Sequence, residues 1–263
     1  MLTLPIYQVD AFTSQLFKGN PAAVCLLNEW LPDSTMQNIA AENNLAETAF
    51  VMQEEDHIQI RWFTPTVEVD LCGHATLAAA FVLFRELNHP SDTITFHSLR
   101  SGILKVLQSG DELYLDFPTD AITEIDFRAE IATCCHILPQ KVYKGKSDYM
   151  AIFSNEKQIQ AMSPDLSKVA NLAGRGLIVT AAGSEVDFVS RFFAPQSGIN
   201  EDPVTGSAHT SLIPYWSQTL GKTKLTARQI SVRGGDLTCQ YEGNRCKIGG
   251  KAKLYLKGEI QID

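Results

Sequence analysis

The sequence predicts an α+β protein in which one structural unit occurs twice along the chain. Two observations support this prediction. Short segments of the first half recur in the second half at a nearly constant spacing. Each half also has strand-like segments on both sides of one apolar, helix-like stretch, a pattern typical of separate α and β elements that share a core.

The repeat consists of three segments in the same order. They are RWFTP at 61–65 and RFFAP at 191–195, CGHA at 72–75 and TGSA at 205–208, and SLRSG at 98–102 and SVRGG at 231–235. The first pair is offset by 130 positions and the other two by 133, which one three-residue insertion within SGINEDPV explains. A duplicated unit determines the architecture, so we predict two halves, 1–120 and 121–263, with the final strands as candidates to cross over to the first.

The central helix of each half is predicted from a long apolar stretch that follows a glycine-containing turn. These stretches are ATLAAAFVLFREL at 75–87 and SAHTSLIPYWSQTL at 207–220. Further amphipathic helices fit 32–43 and 156–172, and QSGDE, YEGNR and LKGE predict hairpin turns. Each half is therefore expected to be a curved, mostly antiparallel sheet wrapped around a central helix.

Composition favours a small-molecule partner. The net charge of -8 argues against nucleic acid, which requires a basic surface. The chain has no apolar run long enough to span a membrane, and its first residues read as a strand, not as a signal peptide. The six cysteines form no CxxC pair, which favours reduced thiols in the cytoplasm over disulfides or a metal site.

The glycines that precede the two central helices, Gly73 and Gly206, are the first candidates for a binding site. A helix that starts at such a turn leaves backbone N–H groups free to bind an anion. Two such turns facing each other across a cleft would hold a carboxylate or a developing enolate. The alternative is that the glycines only allow the chain to turn.

The side chains beside these glycines differ between the halves: Cys72 and His74 in the first, Thr205 and Ser207 in the second. Cys72 before a helix is expected to have a lowered pKa and to act as a base, unless it is simply a buried apolar residue. His74 is a candidate for proton transfer or for an ordinary capping role.

Two carboxylates stand out by their surroundings. Glu47 lies in the otherwise apolar or small run AETAFV, so it occupies either a solvated edge or a site that raises its pKa to suit general acid/base catalysis. Asp202 precedes a proline, which is typical of a turn or a cap, but it is also a candidate to orient His74 across the cleft. Glu201 beside it is a weaker candidate.

Four motifs carry a resemblance that covers nearly the whole chain. They are GNPAAV at 19–24, NNLAETAF at 43–50, FTP at 63–65 followed by CGHATL at 72–77, and EDPVTGSA at 201–208. In this order they resemble the phenazine-biosynthesis-protein (PhzF-like) isomerases, which share the diaminopimelate epimerase fold. The resemblance implies two duplicated domains with one active site between them, a homodimer, and no cofactor.

The resemblance also implies roles for individual residues. Glu47 is expected to move a proton between carbons of a small carboxylate-bearing metabolite, and His74, Asp202 and Ser207 complete the catalytic set. Contacts with the substrate are expected from six further positions: Asn20, Cys72, Gly73, Thr205, Gly206 and Gly234.

Two other functions stay open from the sequence. Cys72 and Thr205 occupy the positions of the two catalytic cysteines of diaminopimelate epimerases, so a symmetric two-thiol racemase is not expected. A dehydratase or epimerase that uses Cys72 as its base is the alternative reaction. A binding protein that has kept the fold and lost the chemistry is the alternative class.

Overall fold

A computed structural model of the chain describes residues 2–54 and 57–263, which form two compact units. Among the described residues, the first unit contains those up to Asp116 together with the closing segment Gly249–Asp263, and the second contains Phe117–Ile248. None of the helices in the described ranges combines the length and apolar composition that a membrane crossing requires.

Within residues 2–54 and 57–118 the structure contains eight strands and two α-helices. In chain order they are β1 (Leu2–Ala11), β2 (Asn20–Leu27), α1 (Asp33–Asn43), β3 (Glu47–Gln53), β4 (Ile58–Phe63), β5 (Glu68–Val69), α2 (Gly73–Phe81), β6 (Thr93–Ser98), β7 (Gly102–Ser109) and β8 (Glu112–Pro118).

The second unit has a similar list of elements, and one long strand then returns to the first unit. In order they are β9 (Thr123–Ile125), α3 (Arg128–Cys135), β10 (Lys141–Lys144), β11 (Asp148–Ile152), α4 (Glu156–Ala161), α5 (Leu166–Ala170), β12 (Gly176–Ala182), β13 (Phe188–Ala194), β14 (Ile199–Asp202), α6 (Gly206–Leu220), β15 (Lys224–Gln229), β16 (Gly235–Tyr241), β17 (Arg245–Gly250) and β18 (Ala252–Ile262).

The strand order is the same in both units. In the first, β1 is antiparallel to β2, β2 parallel to β3, β3 antiparallel to β4, β4 parallel to β6, and β6 antiparallel to β7. In the second, β10, β11, β12, β13, β15 and β16 follow the same alternation. The short strands β5 and β14 lie beside β4 and β13. The predicted duplicated α+β class is confirmed.

The central helices lie where the apolar stretches predicted them. α2 is buried from His74 to Ala80 and contacts β1, β2 and β3, as expected for a helix that is apolar on all sides. It continues into a π-helical turn, Val82–Glu86. α6 contacts β15 and β16, and its Trp216 donates to Thr180 of β12 and stacks on Phe188 of β13.

An ion pair between neighbouring strands explains why arginine is the first residue in both copies of the repeated RWFTP/RFFAP motif. Arg61 Nε lies 2.7 Å from Glu68 Oε1 in the first unit. Arg191 Nε lies 2.6 Å from Glu201 Oε1 in the second. Each pair joins β4 to β5, or β13 to β14, through charge-assisted hydrogen bonds.

Two local predictions were wrong. The helix expected over 156–172 is two short helices, α4 and α5, because Pro164 lies between them and cannot continue a helix. The LKGE segment at 256–259 is not a turn but the middle of β18, which pairs with β1 along its length. Pairing to a distant strand outweighed the local turn signal.

Gly19, at the start of the GNPAAV motif, is held in a conformation that disfavours other residues. Its φ is +66°, and a Cβ atom there would collide with the backbone oxygen of Ala11. Gly110 has a similar φ of +61°, but a Cβ atom there meets nothing within 4 Å. A substitution at Gly110 therefore measures the cost of backbone strain alone, and one at Gly19 measures the same strain together with a steric clash.

We expect Gly19→Ala to destabilise the protein by about 3 kcal/mol, because left-handed strain and overpacking add together. Gly110→Ala, the matched control, should cost only about 1 kcal/mol. Urea unfolding of both variants measures the difference, and equal costs would contradict the close approach of the backbone at Gly19.

Candidate active site

Four side chains meet where the N-terminus of α2 lies against the first unit's sheet; we call Asn20, Glu47, Cys72 and His74 the Glu47 cluster. Asn20 and Glu47 are the first residues of β2 and β3, which are parallel and in register from the pair Ala22 and Glu47 onward. Cys72 immediately precedes α2 and His74 lies in its first turn. Parallel pairing places both strand starts at the same edge.

The distances within the Glu47 cluster are those of direct contacts. His74 Nε2 lies 3.2 Å from Glu47 Oε2. On the other side of the ring, His74 Nδ1 lies 3.2 Å from Asn20 Nδ2 and 3.4 Å from Cys72 Sγ. The exposed fractions are 0% for Asn20, 5% for His74 and 6% for Cys72, and 12% for the Glu47 side chain. The solvated-edge interpretation of Glu47 is therefore wrong.

The electrostatics of Glu47 also differ from the expectation. Burial alone would raise the pKa of Glu47, but the charge of His74 and hydrogen bonds from His74 and Cys72 outweigh it, so the pKa is lowered. Burial likewise opposes the charged form of His74, yet Cys72 and Glu47 raise the pKa of His74 well above its ordinary value. Glu47 is thus a carboxylate paired with an imidazolium, and the predicted raised pKa of Glu47 is wrong.

Cys72 is not the activated thiol that its position before a helix predicts. Burial, reinforced by the negative charge of Glu47, raises the pKa of Cys72 to about 11. The helix N-terminus and His74 favour the thiolate, but desolvation in this apolar setting has the larger effect. Near neutral pH the side chain is therefore a thiol.

The second unit carries a separate group of polar residues at the N-terminus of α6, which we call the Asp202 turn: Asp202, Thr205, Ser207 and Gln229. Asp202 ends β14 and Thr205 immediately precedes α6. Thr205 Oγ1 donates to Asp202 Oδ2 at 2.5 Å. Ser207 is half-buried in the first turn of α6.

Gln229 organises the Asp202 turn, and the sequence analysis missed it. Its Oε1 accepts from Thr205 N at 2.8 Å, while its Nε2 donates to Asp202 O at 2.7 Å and to Thr205 Oγ1 at 3.1 Å. Because both amide protons are used in this way, the Thr205 hydroxyl proton points to Asp202. Gln229 gives no repeat or motif signal, so only tertiary contacts reveal it.

The loop that contains Gly234 lies against the same turn. Ser231 Oγ donates to Pro203 O at 2.8 Å and accepts from Gly234 N at 3.0 Å. Gly234 has a φ of +68°, which explains the glycine. The second unit thus brings together Asp202, Thr205, Gly206, Ser207 and Gly234, whereas Glu201 is bound to Arg191 and is not a substitute for Asp202.

The duplication shows which residue of the second unit is equivalent to Glu47. Phe63 and Phe193, equivalent in the repeat, pair with Thr48 and Leu177. Glu47, one residue before Thr48, therefore corresponds to Gly176. A Cβ atom at Gly176 would lie 2.5 Å from the ring of Phe192, so the second unit has no room for a side chain there.

The same comparison applies to Asp202. Asp202 pairs with Phe192, and Val69 pairs with the equivalent Trp62. The residue of the first unit that is equivalent to Asp202 is therefore the apolar Val69. Each unit carries one carboxylate at the N-terminal end of its central helix that the other unit lacks.

Comparisons with known proteins agree with the duplicated α+β fold. The family model described as phenazine biosynthesis-like protein (PhzC-PhzF) matches residues 9–258. The chain belongs to this family, as the motifs predicted.

Relatives with the same architecture span the whole chain. Two proteins of Pseudomonas aeruginosa, both named uncharacterized isomerases, are 49% identical over 99% of this chain and 100% of their own. The crystal structure of a PhzF family protein from Enterococcus faecalis superposes with a TM-score of 0.97 at 48% identity, covering 99% of this chain and 100% of that one. These similarities identify the protein as an enzyme of the isomerase class.

A more distant similarity concerns the fold alone. The structure of a hydroxyproline epimerase from Agrobacterium vitis has a TM-score of 0.60 at 10% identity, with 98% of this chain and 91% of that chain covered. The fold predicted from the repeat is therefore shared with epimerases of very different sequence.

His209 in α6 provides a test of the local electrostatics. It is fully buried, its Nδ1 donates to Thr205 O at 2.8 Å, and burial lowers the pKa of His209 to about 4. Its folded pKa lies below the unfolded value of 6.5, so the neutral form contributes stability that is present above pH 6.5 and is lost as the pH falls to about 4.

We expect this loss to reach about 3 kcal/mol between pH 6.5 and pH 4. Urea unfolding across this pH range measures it in the wild type and in His209→Gln, which carries no titrating group. A variant with the same pH dependence as the wild type would show that His209 is not the group responsible.

Gln229→Leu is expected to destabilise the protein by about 2–4 kcal/mol, because it removes the three buried hydrogen bonds that the Gln229 amide makes with Thr205 N, Asp202 O and Thr205 Oγ1. Gln140→Leu, at an exposed glutamine, is the matched control and should change stability by less than about 0.5 kcal/mol. Similar values for both variants in urea unfolding would contradict the role of Gln229.

Proposed function

We propose that the protein is a cofactor-independent isomerase that moves a proton between two carbons of a small carboxylate-bearing metabolite, with Glu47 as the general acid/base. The observation that carries the proposal is the largely buried pair of Glu47 Oε2 and His74 Nε2, 3.2 Å apart. The position equivalent to Glu47 in the second unit is occupied by Gly176, so only one of the two units provides this base. One base favours proton return to the same face of the substrate over two-base racemisation.

The lowered pKa of Glu47 defines its resting state. A carboxylate held by His74 is ready to accept a proton, but its basicity is reduced as long as the ion pair persists. A substrate carboxylate that took over the interaction with His74 would release Glu47 and raise its pKa toward the range suited to a general base. Substrate binding and activation of the base would then be coupled.

The proposed reaction needs no other reactant. Glu47 removes a proton from a carbon next to a conjugating group, and the electron pair delocalises into that group. The proton on the Glu47 carboxyl group exchanges with solvent, and the same carboxyl group then gives a proton to another carbon of the conjugated system, which restores the Glu47 carboxylate. Backbone N–H groups at the start of α2, beside Gly73, are suited to stabilise the anion formed between the two steps.

The proposal retains the remaining predicted residues as groups that bind the substrate. In the first unit these are Asn20, Cys72 and His74. In the second they are the Asp202 turn and the nearby Gly206 and Gly234. The Thr205 hydroxyl, which donates to the Asp202 carboxylate and itself accepts from the Gln229 amide, supports such a binding role.

The alternative reaction, a dehydratase or epimerase with Cys72 as base, has weaker support. A thiol whose pKa is about 11 is protonated near neutral pH and is a poor base. The two candidates differ in one variant: Cys72→Ser should abolish turnover in the alternative and should retain it in the proposed isomerase.

Two accompanying proposals concern assembly and location. The family resemblance supports a homodimer, which light scattering during size-exclusion chromatography tests. The six cysteines are all free and buried, which supports a reducing compartment such as the cytoplasm.

Identification by mass spectrometry of a ligand retained during purification tests the proposed anionic metabolite.

The decisive experiment is deuterium incorporation from D2O into the retained ligand. We expect Glu47→Gln to lower the rate of incorporation by ~10²–10⁴-fold, because general acid/base catalysis contributes about that factor. Glu42→Gln, at an exposed glutamate of α1, is the matched control and should keep the wild-type rate. Full incorporation by Glu47→Gln would exclude Glu47 as the base, and none by the wild type would favour the binding-protein alternative.

A further inference from the structure

The Glu47 cluster contains three different metal-ligand types at one point. A carboxylate oxygen of Glu47, Sγ of Cys72 and a ring nitrogen of His74 all lie within 4.8 Å of one another. Oxygen, sulfur and imidazole nitrogen are the ligands that Zn²⁺ accepts in proteins. This grouping is not visible in the sequence, because Glu47 is far from Cys72 in the chain and neither belongs to a known metal-binding spacing.

The observed distances between the ligand atoms are close to the ligand–ligand distances of a tetrahedral zinc site. With ordinary bond lengths, nitrogen and oxygen ligands lie about 3.3 Å apart, and sulfur and nitrogen ligands about 3.6 Å apart. His74 Nε2 and Glu47 Oε2 are 3.2 Å apart, and Cys72 Sγ and His74 Nε2 are 4.0 Å apart. A shift of Cys72 Sγ by a few tenths of an ångström would bring its distance from His74 Nε2 to the tetrahedral value, and the three ligand atoms all lie within 4.8 Å of one another.

The surroundings provide the second layer of contacts that metal ligands in proteins normally have. A histidine that binds metal through Nε2 carries its proton on Nδ1 and donates it to a neighbouring acceptor. Asn20 Nδ2 lies 3.2 Å from His74 Nδ1, and a flip of the side-chain amide places the Asn20 oxygen there to accept this proton. Thr76 Oγ1 donates to Cys72 O at 2.6 Å and holds the start of α2 in place.

We propose that the Glu47 cluster binds one Zn²⁺ ion through Glu47, Cys72 and His74 Nε2, with a fourth position open to water, and that this ion inhibits the enzyme. Binding releases the thiol proton of Cys72 and the Nε2 proton of His74 to solvent, and leaves thiolate, neutral imidazole and carboxylate as ligands. The binding step is independent of the proposed function. Inhibition rests on that function, since it requires Glu47 to be the base.

The donor set also defines the selectivity. Mg²⁺ and Ca²⁺ prefer oxygen ligands only and have no use for a thiolate and an imidazole. Co²⁺ takes up the same tetrahedral geometry as Zn²⁺ and, unlike Zn²⁺, is coloured. Co²⁺ is therefore the spectroscopic probe, and Zn²⁺ and Mg²⁺ are the competing ions.

The experiment is a titration of chelator-treated, reduced full-length protein with Co²⁺, followed by absorption spectroscopy. We expect saturation at one Co²⁺ per chain, a thiolate-to-cobalt charge-transfer band in the near ultraviolet, and tetrahedral bands in the visible. Zn²⁺ should bleach both, and excess Mg²⁺ should not. No saturable spectrum, or one that Mg²⁺ removes as well as Zn²⁺ does, would overturn the proposal.

Variants show whether the ion is bound by this cluster. Cys72→Ala should lose the charge-transfer band, whereas Cys25→Ala, which removes another buried thiol of the first unit, should keep it. Asn20→Ala should weaken Co²⁺ binding by about 10–100-fold, as loss of such a supporting contact does. Circular dichroism checks that each variant is folded. Glu47→Gln keeps the side-chain volume and should weaken binding even if Cys72→Ala fails to fold.

The outcomes separate the metal site from the isomerase. If Co²⁺ binds as described but Glu47→Gln still incorporates deuterium at the wild-type rate, the metal site stands and the proposed base is wrong. If Glu47→Gln is inactive but the wild type binds no Co²⁺, the base stands and the metal site is wrong. Full deuterium incorporation by the Zn²⁺-saturated wild type would overturn the inhibition.

Discussion

The contact between Glu47 and His74 is the interaction on which the charge state of the candidate site depends. The two groups lie 3.2 Å apart in surroundings from which water is largely excluded. Each would resist ionisation if buried alone, but together the carboxylate and the imidazolium stabilise each other's charged form. The contact forms because β2 and β3 start at the same edge of the sheet and α2 begins beside that edge. The strand order therefore determines the charge state of the site.

Duplication explains the architecture, while the differences between the copies support the proposed function. Both units have the same strand order, the same arginine–glutamate pair and a buried helix after an equivalent turn. At the start of β3 and β12, however, one copy has Glu47 and the other Gly176. At the end of β5 and β14, one has Val69 and the other Asp202. A duplicated scaffold that carries each carboxylate only once is suited to asymmetric chemistry.

Much of the fold and the membership of the site could be predicted from the sequence. The repeat predicted the duplicated class, and the motifs predicted the family that the comparisons show. Local rules failed where distant contacts compete with them. LKGE resembles a turn but lies in β18, because pairing with β1 satisfies its backbone over many residues. Gln229 was missed because its role consists entirely of contacts with residues far from it in the chain.

By itself, the sequence determined which residue types are present, their spacing and their periodicity, and these are sufficient to define strands, helices, a duplication and a set of candidate residues. Only the tertiary structure decided their charge states. The helix position of Cys72 predicts a lowered pKa, and the apolar context of Glu47 predicts a raised one; both shifts have the opposite sign. The reason is that a pKa depends on how far a group is removed from water and which charges surround it, and both are properties of the folded chain.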